Sequence, residues 1–287
     1  MPELPEVETL KRDLKKVKGK KIKSVKVNWP KMVLPLTVKS FTQNLKGQKI
    51  LNIKRRAKVL IFELSNERYL MVHLKMTGQL IFDPKKGKMV VGGHPQKGGT
   101  QDLPNKYTHV IINFTDGTTL YFNDLRKFGW MRLVNKDYVD ELSNGLGVEP
   151  LTKSFTFDNF TNFVKRFPNR RVKQFLLDQT IIAGLGNIYV DESCYGAKIK
   201  PTRRVGSLTK KETKDLFKCI PEVLKLSIAN KGTSFSNYIQ LDGKEGRMIK
   251  FLKVYNKKGQ KCQRCGAEIK KIKLNGRGTH FCAKCQK

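Results

Sequence analysis

Acidic residues are scarce in this chain. Asp and Glu number 24 in 287 residues, against 58 Lys and Arg, which leaves a formal net charge of +34. So much like charge destabilises a compact state unless a partner neutralises it, so the shortage of acid argues against a protein that works without a polyanion. Nucleic acid is the first candidate, and an anionic membrane surface is the second. Long apolar runs are also missing. None approaches the roughly 20 residues that a membrane-spanning helix needs, and the acidic, amphipathic opening reads as neither a secretory signal nor a transit peptide. There is no internal repeat. Hydrophobic residues make up 39% of the chain and charged residues 29%, enough for a folded core in one large or two medium domains and too apolar for a disordered chain. The expected location is therefore the cytoplasm or the nucleoid. Cysteine is sparse until the end. Cys194 and Cys219 stand alone and read as small buried hydrophobes.

What acid there is gathers where the chain starts. The opening MPELPEVETL holds Glu3, Glu6 and Glu8, two prolines and no base. Leu4, Val7, Leu10, Leu14 and Val17 then recur at helical spacing until Gly19 ends the pattern. Pro2 is placed at the helix start, and Glu3 and Glu6 suit the positive end of its dipole. The acids thus read as a helix cap or as catalytic groups. From about 20 to 135 short runs rich in Val, Ile, Phe and Tyr, bounded by turns such as Asp116-Gly117, predict strands. Residues 84–106 read as a long loop. This predicts a β-sandwich with a helix laid on it. From about 150 the period becomes helical, with a capping box at Thr209 and Glu212. Residues 231–250 read as a loop, and the tail from about 251 as a short β unit. Basic runs are spread through 11–26, 165–173 and the last forty or so residues.

The strongest chemical signal is the pair Cys262-x2-Cys265 and Cys282-x2-Cys285. Two such knuckles predict one four-thiolate Zn2+ site, closed and therefore structural. A pair of redox motifs is the weaker reading. Between the knuckles, Gly276 and Gly278 permit a tight hairpin tip, and Arg277 beside it reads equally as a solvated side chain or as a phosphate clamp. The stretch AGLGNIY (183–189) places glycines before a helix, where backbone N–H groups can meet phosphate, although such turns are common between packed helices. In FNDLRKFGW (122–130), Arg126 and Phe128 suit base-edge reading and wedging, but a strand end with a core Phe explains them as well. Met76 and His73 read by default as a core methionine and a satisfied polar residue.

Taken together these segments, in this order, resemble the bacterial formamidopyrimidine-DNA glycosylase family. The opening MPELPEVETL, RRAKVLIFEL (55–64), HLKMTGQL (73–80), FNDLRKFG (122–129), LLDQTIIAGLGNIYVDE (176–192), KGTSFSNYIQLDGKEG (231–246) and the GRGTHFCAKC ribbon carry the resemblance, which spans essentially the whole chain. Leu4 stands where the related endonuclease VIII branch has Gly, so the oxidised-purine branch fits better. The resemblance implies an α+β multidomain fold. Residues 1–135 would form the catalytic β-sandwich domain. Residues 150–250 would form a helix–two-turn–helix DNA-binding domain with a lesion-recognition loop, and 251–287 a zinc ribbon. It implies a bifunctional glycosylase and lyase, monomeric, acting on double-stranded DNA that carries an oxidised base, with one structural Zn2+ and no membrane partner. Pro2, freed of Met1, would be the nucleophile and Glu3 the general acid/base. Lys58 would contact phosphate and assist β-elimination, and Arg277 would clamp phosphate and assist δ-elimination. DNA contacts are expected at His73, Met76, Tyr107, Arg126, Phe128, Asn169, Lys173 and Asn187, with Met76, Arg126 and Phe128 filling the space left by the extruded base. Three features depart from the family pattern: Tyr107 where His is frequent, Lys75 where Gly is common, and a long 84–106 segment. The competing readings are an endonuclease VIII-like enzyme for oxidised pyrimidines and a non-enzymatic zinc-ribbon nucleic-acid-binding protein.

Overall fold

The computed structural model describes residues 1–94, 102–233 and 247–287. Part of the 84–106 segment and most of the expected lesion-recognition loop lie outside the described residues. The chain forms two compact units, Met1–Asn144 with Asn230–Arg247, and Gly145–Ala229 with Met248–Lys287.

The first unit is a β-sandwich with helices laid on it. Helix α1 (Leu4–Asp13) runs into a short 3-10 segment, Leu14–Val17. Strands β1 (Ile22–Val27), β7 (Thr108–Phe114), β8 (Thr119–Asp124), β5 (Gly78–Asp83) and β6 (Val90–Gly93) form one sheet in that order. Strands β2 (Ile50–Arg56), β3 (Val59–Leu64), β4 (Tyr69–His73) and β9 (Trp130–Val134) form the other. All neighbours are antiparallel. The period-2 alternation decides what each face buries. Leu60, Phe62 and Leu64 of β3 share one core with Val110, Ile112 and Phe114 of β7 and with Val7, Leu10 and Leu14 of the helical segment. The intervening Val59 and Ile61 face the other way and pack with Tyr138, Val139 and Leu142 of α3 (Lys136–Asn144).

Three local readings are corrected. The helix begins at Leu4 with Glu3 as its cap, so Pro2 lies outside it and Pro5 is the proline of its first turn. The 84–106 segment contributes β6, whose Val90 to Gly93 pair with Phe82 to Gln79 of β5. Within the stretch read as strands lies α2 (Val38–Leu45), where Thr37 accepts the Ser40 N–H at 3.2 Å and Phe41 and Leu45 bury completely at i, i+4 spacing.

The second unit holds α4 (Phe157–Arg166), α5 (Val172–Leu177), α6 (Asn187–Gly196), α7 (Lys210–Ala229) and a hairpin of β10 (Ile269–Leu274) and β11 (Arg277–Cys282). The capping box at α7 forms as expected: Glu212 N–H donates to Thr209 at 3.1 Å and Thr209 N–H to Glu212 at 2.8 Å. Phe155 stacks on Phe217 at 4.8 Å, and Phe160 meets Phe175 edge-on at 5.9 Å. The loop reading for 231–250 gives way at its end to a 3-10 turn, Arg247–Phe251.

Candidate active site and nucleic-acid interface

In the first unit the site is built around the start of α1. Pro2 is buried, Glu3 is 3% exposed and Lys58 is 7% exposed. The Glu3 N–H donates to Glu6 Oε2 at 2.9 Å. The other Glu6 oxygen accepts the Thr233 N–H at 2.8 Å and its hydroxyl at 3.1 Å. Gly232 must be glycine here, because its φ is +81° and a Cβ would sit 2.8 Å from Glu6 Oε1. Burial pushes the Met1 amino group below its ordinary value, Glu3 and Glu6 oppose this, and Lys58 adds to it. The chain terminus, two carboxylates and one lysine therefore share one pocket.

Lys58 reaches that pocket from the turn between β2 and β3, where Ala57 takes a φ of +50°. Arg55 braces the turn, donating from Nη1 to the Ala57 carbonyl at 2.9 Å and from Nε to Glu8 Oε2 at 3.0 Å. Glu8 also binds Lys11 at 2.8 Å and Arg12 at 2.9 Å. Burial alone would raise its carboxyl, but the bonds from Lys11, Arg55 and Arg12 outweigh it and hold the group below its usual range. Glu8 thus ties α1 to the hairpin that carries Lys58.

Two neighbouring loops of the same unit carry the expected DNA contacts. Met76 is 41% exposed and Phe128 53% exposed, with the Arg126 guanidinium 4.6 Å above the Phe128 ring. His73 stands beside Trp130 at 5.7 Å and accepts the Lys75 N–H on Nδ1 at 2.9 Å, so its own proton sits on Nε2. Burial, with Lys75 and Lys58 nearby, pushes this imidazole down to about 3, so it is a neutral donor at any working pH. Tyr107 is half-buried, and its carbonyl accepts the Asp124 N–H at 2.9 Å.

In the second unit Asn187 is the first residue of α6, and its Nδ2 donates to the Gly278 carbonyl at 3.0 Å. Lys173 donates to the same carbonyl at 2.9 Å and to Asp191 at 2.6 Å. Lys173 is 1% exposed and so offers no ammonium to solvent. Its place in a basic run suggests a surface donor, but α5 turns Val172, Lys173, Phe175 and Leu176 inward together. Asp191 completes the latch by accepting the His280 N–H at 2.8 Å. The hairpin tip is Asn275-Gly276, both at positive φ, with Leu274 paired to Arg277. Arg277 is exposed next to this tip. Asn169 lies exposed in the turn before α5, 3.4 Å from Arg204 Nη1.

The four expected cysteines converge. The Sγ atoms of Cys262, Cys265, Cys282 and Cys285 all lie within 4.8 Å of one another, with Cys262 to Cys285 at 3.9 Å and Cys265 to Cys282 at 3.5 Å. A tetrahedral Zn2+ with bonds of about 2.3 Å requires sulfurs about 3.8 Å apart, which this tetrad fits. Tyr195, Val254 and Ile269 pack around it.

Comparison with known proteins decides the family. Residues 1–131 match the formamidopyrimidine-DNA glycosylase N-terminal domain, 146–238 its H2TH domain, and 259–287 the zinc finger found in FPG and IleRS. The chain is 41% identical to the formamidopyrimidine-DNA glycosylases of Pelotomaculum thermopropionicum and Listeria monocytogenes, with 100% of this chain covered and 99% and 100% of those proteins. The chain belongs to the formamidopyrimidine-DNA glycosylase family. Solved structures agree. The Lactococcus lactis formamidopyrimidine-DNA glycosylase bound to DNA with an abasic site is 38% identical with a TM-score of 0.85 over 99% of each chain. A variant of it bound to Fapy-dG DNA is 39% identical with a TM-score of 0.86 over 100% of each. The tetrad is the structural zinc site of this family's ribbon.

In this glycosylase-family chain the sequence did not single out Asp124, Asp191 or Glu192, and it offered Glu8 only as one acid of the opening cluster, not as the partner of Arg55. Glu192 accepts the N–H groups of Lys253, Val254 and Tyr255 at 2.8, 2.9 and 2.8 Å and so fixes the stem of the ribbon. The available signal was the scarcity of acid itself: in so basic a chain, an acid among apolar residues is there for a partner. One consequence is testable at His73. A neutral donor adds one ordinary hydrogen bond, worth about 0.5–1.5 kcal/mol, and releases no counterion. His73→Ala should weaken duplex binding by about that much at both pH 5.5 and pH 8, with an unchanged slope of log K against log salt. A loss confined to acidic pH in a binding titration would contradict the neutral assignment.

Proposed function

We propose that this chain excises oxidised purines, such as 8-oxoguanine and formamidopyrimidines, through the amine of Pro2 and then cuts the strand by β,δ-elimination. It is a DNA glycosylase of base excision repair, and DNA with a damaged base is its partner. The observation that carries the catalytic reading is the pocket at the chain start, where Glu3, Glu6 and Lys58 surround the terminal amine. With Met1 removed, the Pro2 nitrogen bonds to C1′ as the bond to the base breaks and the base leaves with its electron pair. Glu3 moves the proton that opens the sugar ring, and loss of the amine proton gives an iminium. The iminium acidifies the C2′ proton, and its loss expels the 3′ phosphate. Lys58 assists that step, and Arg277 assists elimination of the 5′ phosphate. Asn187 and Asn169 hold phosphate, as do His73 and Tyr107. Met76, Arg126 and Phe128 fill the emptied stack, since the reaction requires the damaged nucleotide to leave it. Residues 1–135, 150–250 and 251–287 act as the catalytic, DNA-binding and ribbon domains of a monomer working at the cytoplasmic nucleoid. Among the described residues no helix is long and apolar enough to cross a membrane.

The test is borohydride reduction during turnover of an 8-oxoguanine:cytosine duplex. A covalent complex whose DNA-bearing peptide begins at Pro2 supports the reading, and a bound but never trapped duplex refutes it in favour of a non-enzymatic binder. Arg126 should set the opposite-base preference. Arg126→Ala is expected to narrow the gap between lesion:C and lesion:A duplexes by about 1–3 kcal/mol, and equal losses on both would mean that Arg126 only holds phosphate.

A further inference from the structure

The three side chains assigned to the emptied stack lie on two separate loops, Met76 between β4 and β5 and Arg126 with Phe128 between β8 and β9. Long exposed side chains on loops ordinarily move independently, and ordering them on binding costs affinity. Here both loops end on one buried carboxylate. Asp124, 0% exposed, is the last residue of β8 and pairs with Gly78 of β5. Its Oδ1 accepts the Thr77 hydroxyl and, at 3.1 Å, the Arg126 N–H. Its Oδ2 accepts the Gly129 N–H at 2.7 Å. Thr77 Oγ1 is itself 3.1 Å from the Arg126 nitrogen, so the hydroxyl donates to Asp124 and accepts from Arg126 at once. The Asp124 carbonyl is 2.7 Å from His109 Nε2, which fixes the backbone under the carboxylate.

The loops have little room to relax around this point. A Cβ on Gly129 would lie 2.7 Å from the Phe122 ring and 3.1 Å from Asp124 Oδ2, and one on Gly78 would lie 2.3 Å from the Leu74 carbonyl. Between Arg126 and Phe128, Lys127 takes a φ of +57° and lays its ammonium 4.1 Å above the Trp29 ring. A buried carboxylate is tolerated only when donors surround it, and these donors come from both loops.

We propose that Asp124 and Thr77 are positioning residues that join the two loops into one preformed wedge, so that Met76, Arg126 and Phe128 enter the duplex together and Arg126 reads the opposite base from a fixed position. This rests on the assignment of those three side chains to the emptied stack.

The experiment compares Thr77→Val, which keeps shape but removes the hydroxyl, with Thr77→Ser, which keeps the hydroxyl. Each is normalised to trapping on a single-stranded abasic oligonucleotide, which has no opposite base to read. The readouts are the lesion:C over lesion:A excision ratio and the fluorescence of a 2-aminopurine flanking the lesion, which reports unstacking. Thr77→Val should lose about tenfold in the ratio and most of the fluorescence rise, and Thr77→Ser should keep both within about twofold, the lost factor corresponding to one good hydrogen bond to an ionised group. Asp124→Asn, which turns a donor toward the Thr77 hydroxyl or the Gly129 N–H, should lose at least as much; should it fail to fold, the Thr77 pair decides. Thr77→Val with a lower melting point but an intact ratio and fluorescence would overturn the proposal, as would equal losses in Val and Ser. Arg126→Ala with its base preference intact would instead overturn the underlying assignment of Arg126.

Discussion

A chain extended by one residue ahead of Pro2 should show no base excision and no borohydride-trapped complex, yet bind lesion DNA almost as tightly as the mature chain. Acylation turns the Pro2 nitrogen into a tertiary amide whose lone pair is delocalised into the carbonyl. Most of the proposed phosphate contacts lie elsewhere, so affinity should largely survive. The pocket also sets the pH response. An α-amino group ordinarily titrates near about 8, and Pro2 itself is buried, which disfavours the charged form of its freed amine. The trapping rate should therefore rise with pH through a midpoint below that of a free N-terminal prolyl peptide and then level off. Glu3→Gln should separate the steps: excision falls by about 10²–10⁴-fold, the usual range for proton transfer, while reaction with a preformed abasic site falls less. Full excision by the extended chain would remove Pro2 from the mechanism and leave Lys58 as the remaining amine of the pocket.

Loss of zinc should have the second-largest effect. Four thiolates fill a tetrahedral shell and leave no site for a reacting water, so the metal's contribution is folding energy, of order 10–16 kcal/mol for comparable sites. Cys282 is 0% exposed, and its N–H is held by Gln286 at 2.8 Å, so Cys282→Ser opens the metal site and the stem together. The hairpin that presents Arg277 and the exposed Lys270, Lys271 and Lys273 should unfold, and duplex affinity should fall by at least about 100-fold as that cluster of positive charge is lost. Slow trapping of a single-stranded abasic sugar by Pro2 should persist. A chelator that leaves duplex binding unchanged in a fluorescence titration would refute this account.

What could be read in the sequence was what is local in it. The cysteine knuckles, the Thr209 capping box and the periodic helix after the opening each state their partners within a few positions. Lys58, Arg126 and Phe128 acquired meaning only through the order of the motifs, because a lysine in a hairpin turn and an Arg-Lys-Phe strand end are common on their own. Helix α2 was hidden by Val, Phe and Thr, whose strand preference the burial of Phe41 and Leu45 overrides. The burial of Lys173 was not legible because composition cannot tell which face of a short helix turns inward. Asp124 escaped notice because the hydroxyl it binds lies 47 residues earlier in the chain. Long-range partners of a buried polar group leave no periodic trace.

Gly92 gives the sandwich an unusual kind of sensitivity. It sits in β6 directly under α1, and a Cβ there would meet the Leu10 side chain at 2.3 Å. Six residues of helix separate Leu10 from Leu4, about 9 Å at 1.5 Å per residue. A helix is stiff along its axis, so it behaves as a beam resting on that strand, with Glu3 and Pro2 at its far end. One methyl group inserted there would press on the buried Leu10 side chain, and any shift of the helix that relieved it would be expected to reach the proposed reacting amine while leaving every residue of the pocket in place by name. If Pro2 carries the reaction, drift at such a site is expected to register as lost turnover in a protein that still folds and still holds its DNA, which would write part of the reaction's geometry into a position with no side chain at all.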